Sequence, residues 1–149
     1  MIDISVAAYT AGLLDGEGHL GVRPWSKNGY HNFFPNVAIS NTNLEVIEWL
    51  ISHFGGHYGI WDNKTHQQKR IYKWYINSLD AIKTFLEVVQ PFVIIKREHV
   101  EAMLAYVRIG NSAFVLGNPI YDKEEADILL AAREDIYWWL KDLNGRVRQ

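Results

Sequence analysis

The sequence predicts an α+β domain whose helices all lie on one face of an antiparallel sheet. Three observations lead there. Residues 19–40 and 57–77 alternate apolar and polar positions around polar turn segments, the pattern of two β-hairpins. A stretch with apolar residues at helical spacing follows each hairpin, and a helix of small and apolar residues precedes the first. The resulting order of helix, hairpin, helix, hairpin, helix leaves the second sheet face open to water or to a partner.

The first helix is expected over residues 5 to about 15. Ala8, Gly12 and Gly16 recur at i, i+4 and i+8 and form one smooth stripe. Gly12 costs about 1 kcal/mol of helix propensity relative to Ala, which implies a packing reason. Small residues let two helix backbones approach closely. Spacing alone does not choose between packing on the chain's own core and a seam between two copies. The helix ends in Asp15-Gly16-Glu17-Gly18, which puts two carboxylates at the negative end of the helix dipole. Acids there cost free energy, so something must compensate them.

His19–Trp25 reads as a strand with Leu20, Val22 and Pro24 on one face and His19, Gly21, Arg23 and Trp25 on the other. Residues 26–31, SKNGYH, hold Asn28-Gly29 and read as a turn. A second strand over about 32–40 directs Phe33, Val37 and Ile39 inward and Asn32, Phe34, Asn36, Ala38 and Ser40 outward. Asn41 or Asn43 then caps a helix to about Phe54, with Leu44, Ile47, Ile51 and Phe54 as its buried stripe. Gly55-Gly56 ends it. Strands at 57–63 and 70–77 flank the loop NKTHQQ. In the second of these, Tyr72, Trp74 and Ile76 face the helices and Ile71, Lys73, Tyr75 and Asn77 face away. Ser78 caps a helix carrying Leu79, Ile82, Phe85, Leu86 and Val89, which Pro91 terminates. An amphipathic helix follows from Lys96 to about Ile109, then a loop over 110–121. Asp122 and Glu125 resemble a capping box for a last helix running to about Asn144, with Gly145 as its C′ residue. The cluster Tyr137-Trp138-Trp139 on that helix is expected to serve packing.

The 149 residues suit one domain spanning 1–149. The absence of cysteine excludes disulfides, thiolate zinc sites and cysteine nucleophiles, and no histidine pair has zinc spacing. Neither a signal peptide nor a membrane-spanning run is visible, so a soluble intracellular protein is expected, not a secreted one. The net charge of −2 hides a segregation. Segments 18–41 and 57–78 hold Arg23, Lys27, Lys64, Lys69, Arg70 and Lys73 against Asp62 alone, while the remainder is acidic. The outward sheet positions are thus rich in amides, bases and aromatics, groups that hydrogen-bond base edges, neutralise phosphates and stack. An ordinary solvated face would carry Glu and Asp as well. A two-stranded ribbon also fits the DNA major groove.

TAGLLDGEG, residues 10–18, resembles the signature of the LAGLIDADG homing endonucleases. HFGG at 53–56 and VQPFVIIKRE at 89–98 extend the resemblance over roughly residues 5–110, leaving 111–149 as a C-terminal helical extension. The resemblance implies an αββαββα core whose four-stranded antiparallel sheet lies in the major groove, with helices on its other face and further helices after it. A single motif implies a homodimer cutting both strands of a long near-palindromic double-stranded DNA site to leave short 3′ overhangs. It implies a divalent cation, Mg²⁺ or Mn²⁺, with Ca²⁺ supporting binding without cleavage, and neither a membrane nor a small-molecule cofactor. The host compartment would be a bacterial cytoplasm or an organelle.

Residue by residue, the resemblance makes Glu17 the metal-ligating acid and Gly16 a backbone carbonyl ligand. It gives Asp15 a supporting role near the helix end and makes Lys96 the catalytic lysine. Asn41 corresponds to a polar residue that holds active-site waters. Ala8, Ala11, Gly12, Asp15 and Gly16 would form the dimer seam. Two rivals remain: a LAGLIDADG-like binder without cleavage, such as an intron RNA maturase or a DNA-binding regulator, and an unrelated α+β ligand-binding domain. Glu17 and Lys96 favour the enzyme, because a pure binder needs neither.

Overall fold

The computed structural model describes residues 1–27, 30–61, 69–110 and 123–147. Helix α1 spans Ile4–Glu17, followed by strands β1 (Gly18–Lys27) and β2 (Tyr30–Asn41) and helix α2 (Leu44–Phe54). Strands β3 (His57–Trp61) and β4 (Ile71–Ile76) form the second hairpin. Helix α3 (Leu79–Val89), a short 3₁₀ turn, α4 (Arg97–Ile109) and α5 (Lys123–Val147) complete the chain. The four strands form one antiparallel sheet in the order β1-β2-β4-β3, so β2 and β4 are its centre. The α+β architecture expected from the alternation is present. The Asn28-Gly29 turn, the NKTHQQ loop, the end of the strand expected to residue 63, most of the 110–121 loop and the Asp122 cap lie outside the described residues.

Local sequence explains the boundaries. Asp3 caps α1, its side chain accepting from the Ser5 N–H at 2.7 Å. The helix buries Ala7, Thr10, Ala11 and Leu14. It passes into β1 through Gly18, where an added Cβ would lie under 3 Å from the Leu14 backbone, a close approach that only glycine permits. Asn43 caps α2 and Ser78 caps α3, as the side-chain chemistry dictates. In α2 the fully buried residues are Ile47 and Leu50, with Leu44, Ile51 and Phe54 packed partly against the core. Gly55 and Gly56 end that helix at φ +69° and +90°, and the Trp74 indole donates to the Gly55 carbonyl at 2.8 Å.

Inward parity holds along β1, β2 and β4, with Leu20, Val22, Phe33, Val37, Ile39, Trp74 and Ile76 all buried beneath the helices. Helices α4 and α5 cover the β1–β2 end of the same face. The Tyr106 hydroxyl donates to the Phe33 carbonyl at 3.0 Å, and the Asn144 amide donates to the Leu20 carbonyl at 3.1 Å. Two expectations for α5 are corrected. The helix continues through Gly145, which keeps helical backbone instead of a left-handed C′ turn, and it reaches Val147. Of its aromatic cluster only Tyr137 packs against the core, with Phe33 at 5.6 Å between ring centroids; Trp138 stacks edge-on against Tyr137 at 5.1 Å on the surface, and Trp139 is exposed. Among the described residues no helix is long and apolar enough to cross a membrane.

Candidate active site and nucleic-acid face

The last turn of α1 packs against the segment that leads into α4, and there the two acids part. The Asp15 carboxylate accepts three backbone N–H bonds, from Ile94 at 2.9 Å, Ile95 at 3.1 Å and Lys96 at 3.0 Å. The Lys96 ammonium donates to the Asp15 carbonyl at 2.7 Å, which satisfies an orphan oxygen at the helix end. The compensation demanded by the helix dipole is therefore internal for Asp15. Lys96 is 5% exposed. Burial pulls its ammonium below the ordinary lysine value, and the charges of Asp15 and then Glu17 oppose that shift.

Glu17 differs. It is the final residue of α1, exposed, and takes no hydrogen bond from the described residues. Gly16 beside it is also exposed, and a Cβ placed on Gly12 or Gly16 would meet open space. Ala8, Gly12 and Gly16 thus form an uncovered stripe, flanked by the exposed apolar side chains of Ile4 and Tyr9. Ile94 and Ile95, which hydrogen-bond Asp15, add two more exposed isoleucines at its end. Ala11 is corrected. At 0% exposure it joins Ala7 and Leu14 on the inward stripe, so it lies in the chain's own core and not on the free face.

Asn41, at the end of β2, is half-buried and its Oδ1 accepts from the Asn43 N–H at 2.8 Å. It thus braces the α2 cap, and no hydrogen bond ties it to Asp15 or Lys96. His99 was not found from sequence. It lies on α4 one turn beyond Lys96, 4% exposed, with neither ring nitrogen hydrogen-bonded at normal geometry. A histidine at an apolar-spaced helix position gives no signal that separates it from ordinary core.

The outward sheet face arranges its side chains in cross-strand rows. His19, Ala38, Tyr75 and His57 form one row, and Ser40, Lys73 and Gly59 the next toward the start of β4. Gly21 pairs with Asn36, Arg23 with Phe34, and Trp25 with Asn32 toward the hairpin tip. No Asp or Glu occurs in any of the four strands. A groove of roughly 930 Å³ runs over this face, and His19, Arg23, Phe34, Asn36, Lys73, Tyr75 and Asn77 line it. Trp61 also lines it, with the Lys73 ammonium 5.7 Å from its ring centroid. Extending the strand alternation to His57, Gly59 and Trp61 would have found that tryptophan.

Other expected contacts fall elsewhere. Ala38 has the outward parity but is 1% exposed between His19 and Tyr75, so its methyl group offers no contact surface. Trp25 and Asn32 line a second cleft of roughly 500 Å³, closed by Leu130 and Glu134 of α5. Asn32 also accepts from the Phe33 N–H at 2.8 Å. Ser40 is half-buried, Lys27 is exposed at the hairpin end, and Lys69 and Arg70 are exposed just before β4. Lys64 lies outside the described residues.

Solved structures share this fold. The homing endonuclease I-CvuI in complex with its target aligns with a TM-score of 0.71 at 14% identity, over 94% of this chain and 82% of that one. The archaeal intron-encoded homing endonuclease I-Vdi141I complexed with DNA gives 0.69 at 18%, over 93% and 84%. The LAGLIDADG homing endonuclease I-GzeII in complex with its DNA target gives 0.68 at 15%, over 88% of this chain and 43% of that one. The fold is that of the LAGLIDADG homing endonucleases. No protein-family model and no curated protein sequence matches the chain. Within the LAGLIDADG fold, residues 10–18 form the second half of α1 and its junction with β1, and VQPFVIIKRE supplies the N–H groups and the ammonium that hold Asp15.

The donors present suit a hard cation. The Glu17 carboxylate and the Gly16 carbonyl are oxygen ligands of the kind magnesium takes, usually one or two carboxylates with phosphate and water. Among the described residues no group of three or more His, Cys, Asp or Glu could hold an ion.

Proposed function

We propose that the chain is a homodimeric, sequence-specific DNA endonuclease that hydrolyses phosphodiester bonds with Mg²⁺ or Mn²⁺. It would cut both strands of a long near-palindromic target and leave short 3′ overhangs. The observation that carries this reading is Glu17: an exposed carboxylate on the wrong end of a helix, near the Lys96 charge but without a hydrogen bond among the described residues, while its neighbour Asp15 accepts three. An acid in that position is explained when cation and phosphate approach it together.

Each part of the surface has a task in this reading. The open stripe of Ala8, Gly12 and Gly16, with Ile4, Tyr9, Ile94 and Ile95 beside it, receives the same stripe of a second copy and brings two Glu17 carboxylates together. Glu17 and the Gly16 carbonyl would hold the divalent ion, which supplies charge stabilisation and water activation at the phosphate. Lys96 keeps one N–H on the Asp15 carbonyl and has two left for the attacking water or a phosphate oxygen. Its burial keeps that ammonium in one place. Asp15 acts as a positioning residue, fixing the backbone from which Lys96 projects. The acid-free groove supplies phosphate and base contacts.

The test is selection of cleaved sites from a random duplex library with Mg²⁺. Recovery of one near-palindromic sequence with staggered ends is expected. Duplexes that are bound without cleavage would favour a binding protein, and no enrichment at all would defeat the DNA reading.

A further inference from the structure

Six asparagines are described, and four of them spend their carboxamides inside the fold. Asn32 accepts from Phe33, Asn41 from Asn43 and Asn43 from Glu45, while Asn144 donates to the Leu20 carbonyl. The side chains of Asn36 and Asn77 are the exceptions: neither makes a hydrogen bond among the described residues. Both line the groove. Both adjoin the end of the β2–β4 ladder, whose last pair is Val37 with Ile76. On the other side Asn36 pairs with Gly21, so no side chain of residue 21 crowds it; the space there is taken by the His19 ring, 2.7 Å from where a Cβ would be.

A carboxamide presents one donor and one acceptor in a plane. In the major groove only adenine shows the complementary pair, the N6 amino group and N7, on a single base. Guanine shows two acceptors there, which suits a guanidinium or an ammonium. A carboxamide with no internal partner loses its water on binding and must find both bonds on the base, so a mismatched base leaves it unsatisfied. This asymmetry generates specificity.

We propose that Asn36 and Asn77 are adenine-reading residues of each DNA half-site. The inference rests on the DNA-endonuclease reading above and deepens it. It also carries a spacing. Arg23 stands two residues beyond Gly21 on β1, about 6.8 Å along the strand, which is about two base-pair rises of 3.4 Å. With the ribbon following the groove, a guanine read by Arg23 falls about two base pairs farther from the centre of the target than the adenine read by Asn36. The chain's own sequence thus places an adenine position inside a guanine position in each half-site.

Bound duplexes selected from a random library by the full-length chain with Ca²⁺ in place of Mg²⁺ test this. Both half-sites are expected to show an adenine preference, with a guanine preference about two base pairs farther out. Asn36→Ala and Asn77→Ala each relax the adenine position by roughly 5- to 140-fold, the equivalent of 1–3 kcal/mol at 1.4 kcal/mol per tenfold. They leave the guanine position unchanged, which also shows that each variant is folded. Asn36→Asp moves the preference toward cytosine, whose amino group it can accept from. An enriched site whose preferences survive both alanine substitutions overturns the assignment and leaves the endonuclease reading standing. Absence of any enriched duplex overturns both.

Discussion

At the C-terminal end of α1, Asp15 turns toward the segment entering α4 and is held by three N–H groups, whereas Glu17, two residues on, is exposed and takes no hydrogen bond from the described residues. Both sit at the negative end of the helix dipole, and the chain answers it with three hydrogen bonds for Asp15, whereas Glu17 meets the Lys96 charge without a hydrogen bond among the described residues. The lesson is that residue type and position do not assign a role here; the surroundings do. In the proposed reading the acid that is bonded internally belongs to the scaffold, and the one without such bonds is available for chemistry. The same contrast runs through the asparagines of the sheet and through the two sides of α1.

The comparison can be broken in four ways. Glu17→Gln keeps the shape of the side chain and removes its charge. Cleavage of a plasmid carrying the selected site should fall by at least about a thousandfold, several kcal/mol of transition-state stabilisation. The thermal midpoint should change little, because no hydrogen bond among the described residues is lost; a large drop in the midpoint would make Glu17 scaffold like Asp15. Gly12→Leu places a branched side chain on the open stripe, so light scattering should report a halved mass with a native circular-dichroism spectrum. An unchanged mass would mean that the stripe is not the seam.

Asp15→Ala removes the acceptor of three N–H groups and should cost roughly 2–4 kcal/mol in urea unfolding, given the usual worth of bonds to a charged acceptor. Stability equal to wild type would erase the distinction between the two acids. The smallest effect concerns His99, whose ring is held below the ordinary histidine value first by burial and then by Lys96 and His19, with Asn144 and Glu98 opposing. The unfolded chain takes up this proton first as pH falls. Wild-type stability relative to His99→Gln should therefore decline as pH drops through the ordinary value of 6.5 and level off below the folded value. A difference independent of pH would mean that burial does not restrain the ring.

Much of this was legible in the sequence. Alternation assigned the faces of β1, β2 and β4, and caps at Asn43 and Ser78 with glycines at 55 and 56 set the limits of α2 and the start of α3. The motif singled out Glu17 and Lys96, and the fold brings the Lys96 ammonium to the same end of α1 that carries Glu17. Three things were hidden, for physical reasons. The bonds from residues 94–96 to Asp15 join backbone to side chain across some eighty positions, and backbone donors carry no sequence signature. Ala38 has the right parity but lies between two larger neighbours, which only the cross-strand register reveals. Gly145 resembles a helix stop by type, yet α5 runs through it.

The most direct test of the central claim is calorimetric titration of Ca²⁺ into the complex of the chain with its selected DNA duplex, comparing wild type with Glu17→Gln and Asp15→Asn. Wild type and Asp15→Asn, at a temperature where both are folded, should take up the ion, and Glu17→Gln should lose that binding while still holding the DNA. Undiminished ion binding by Glu17→Gln, or its loss on Asp15→Asn alone, would contradict the division of roles between the two acids.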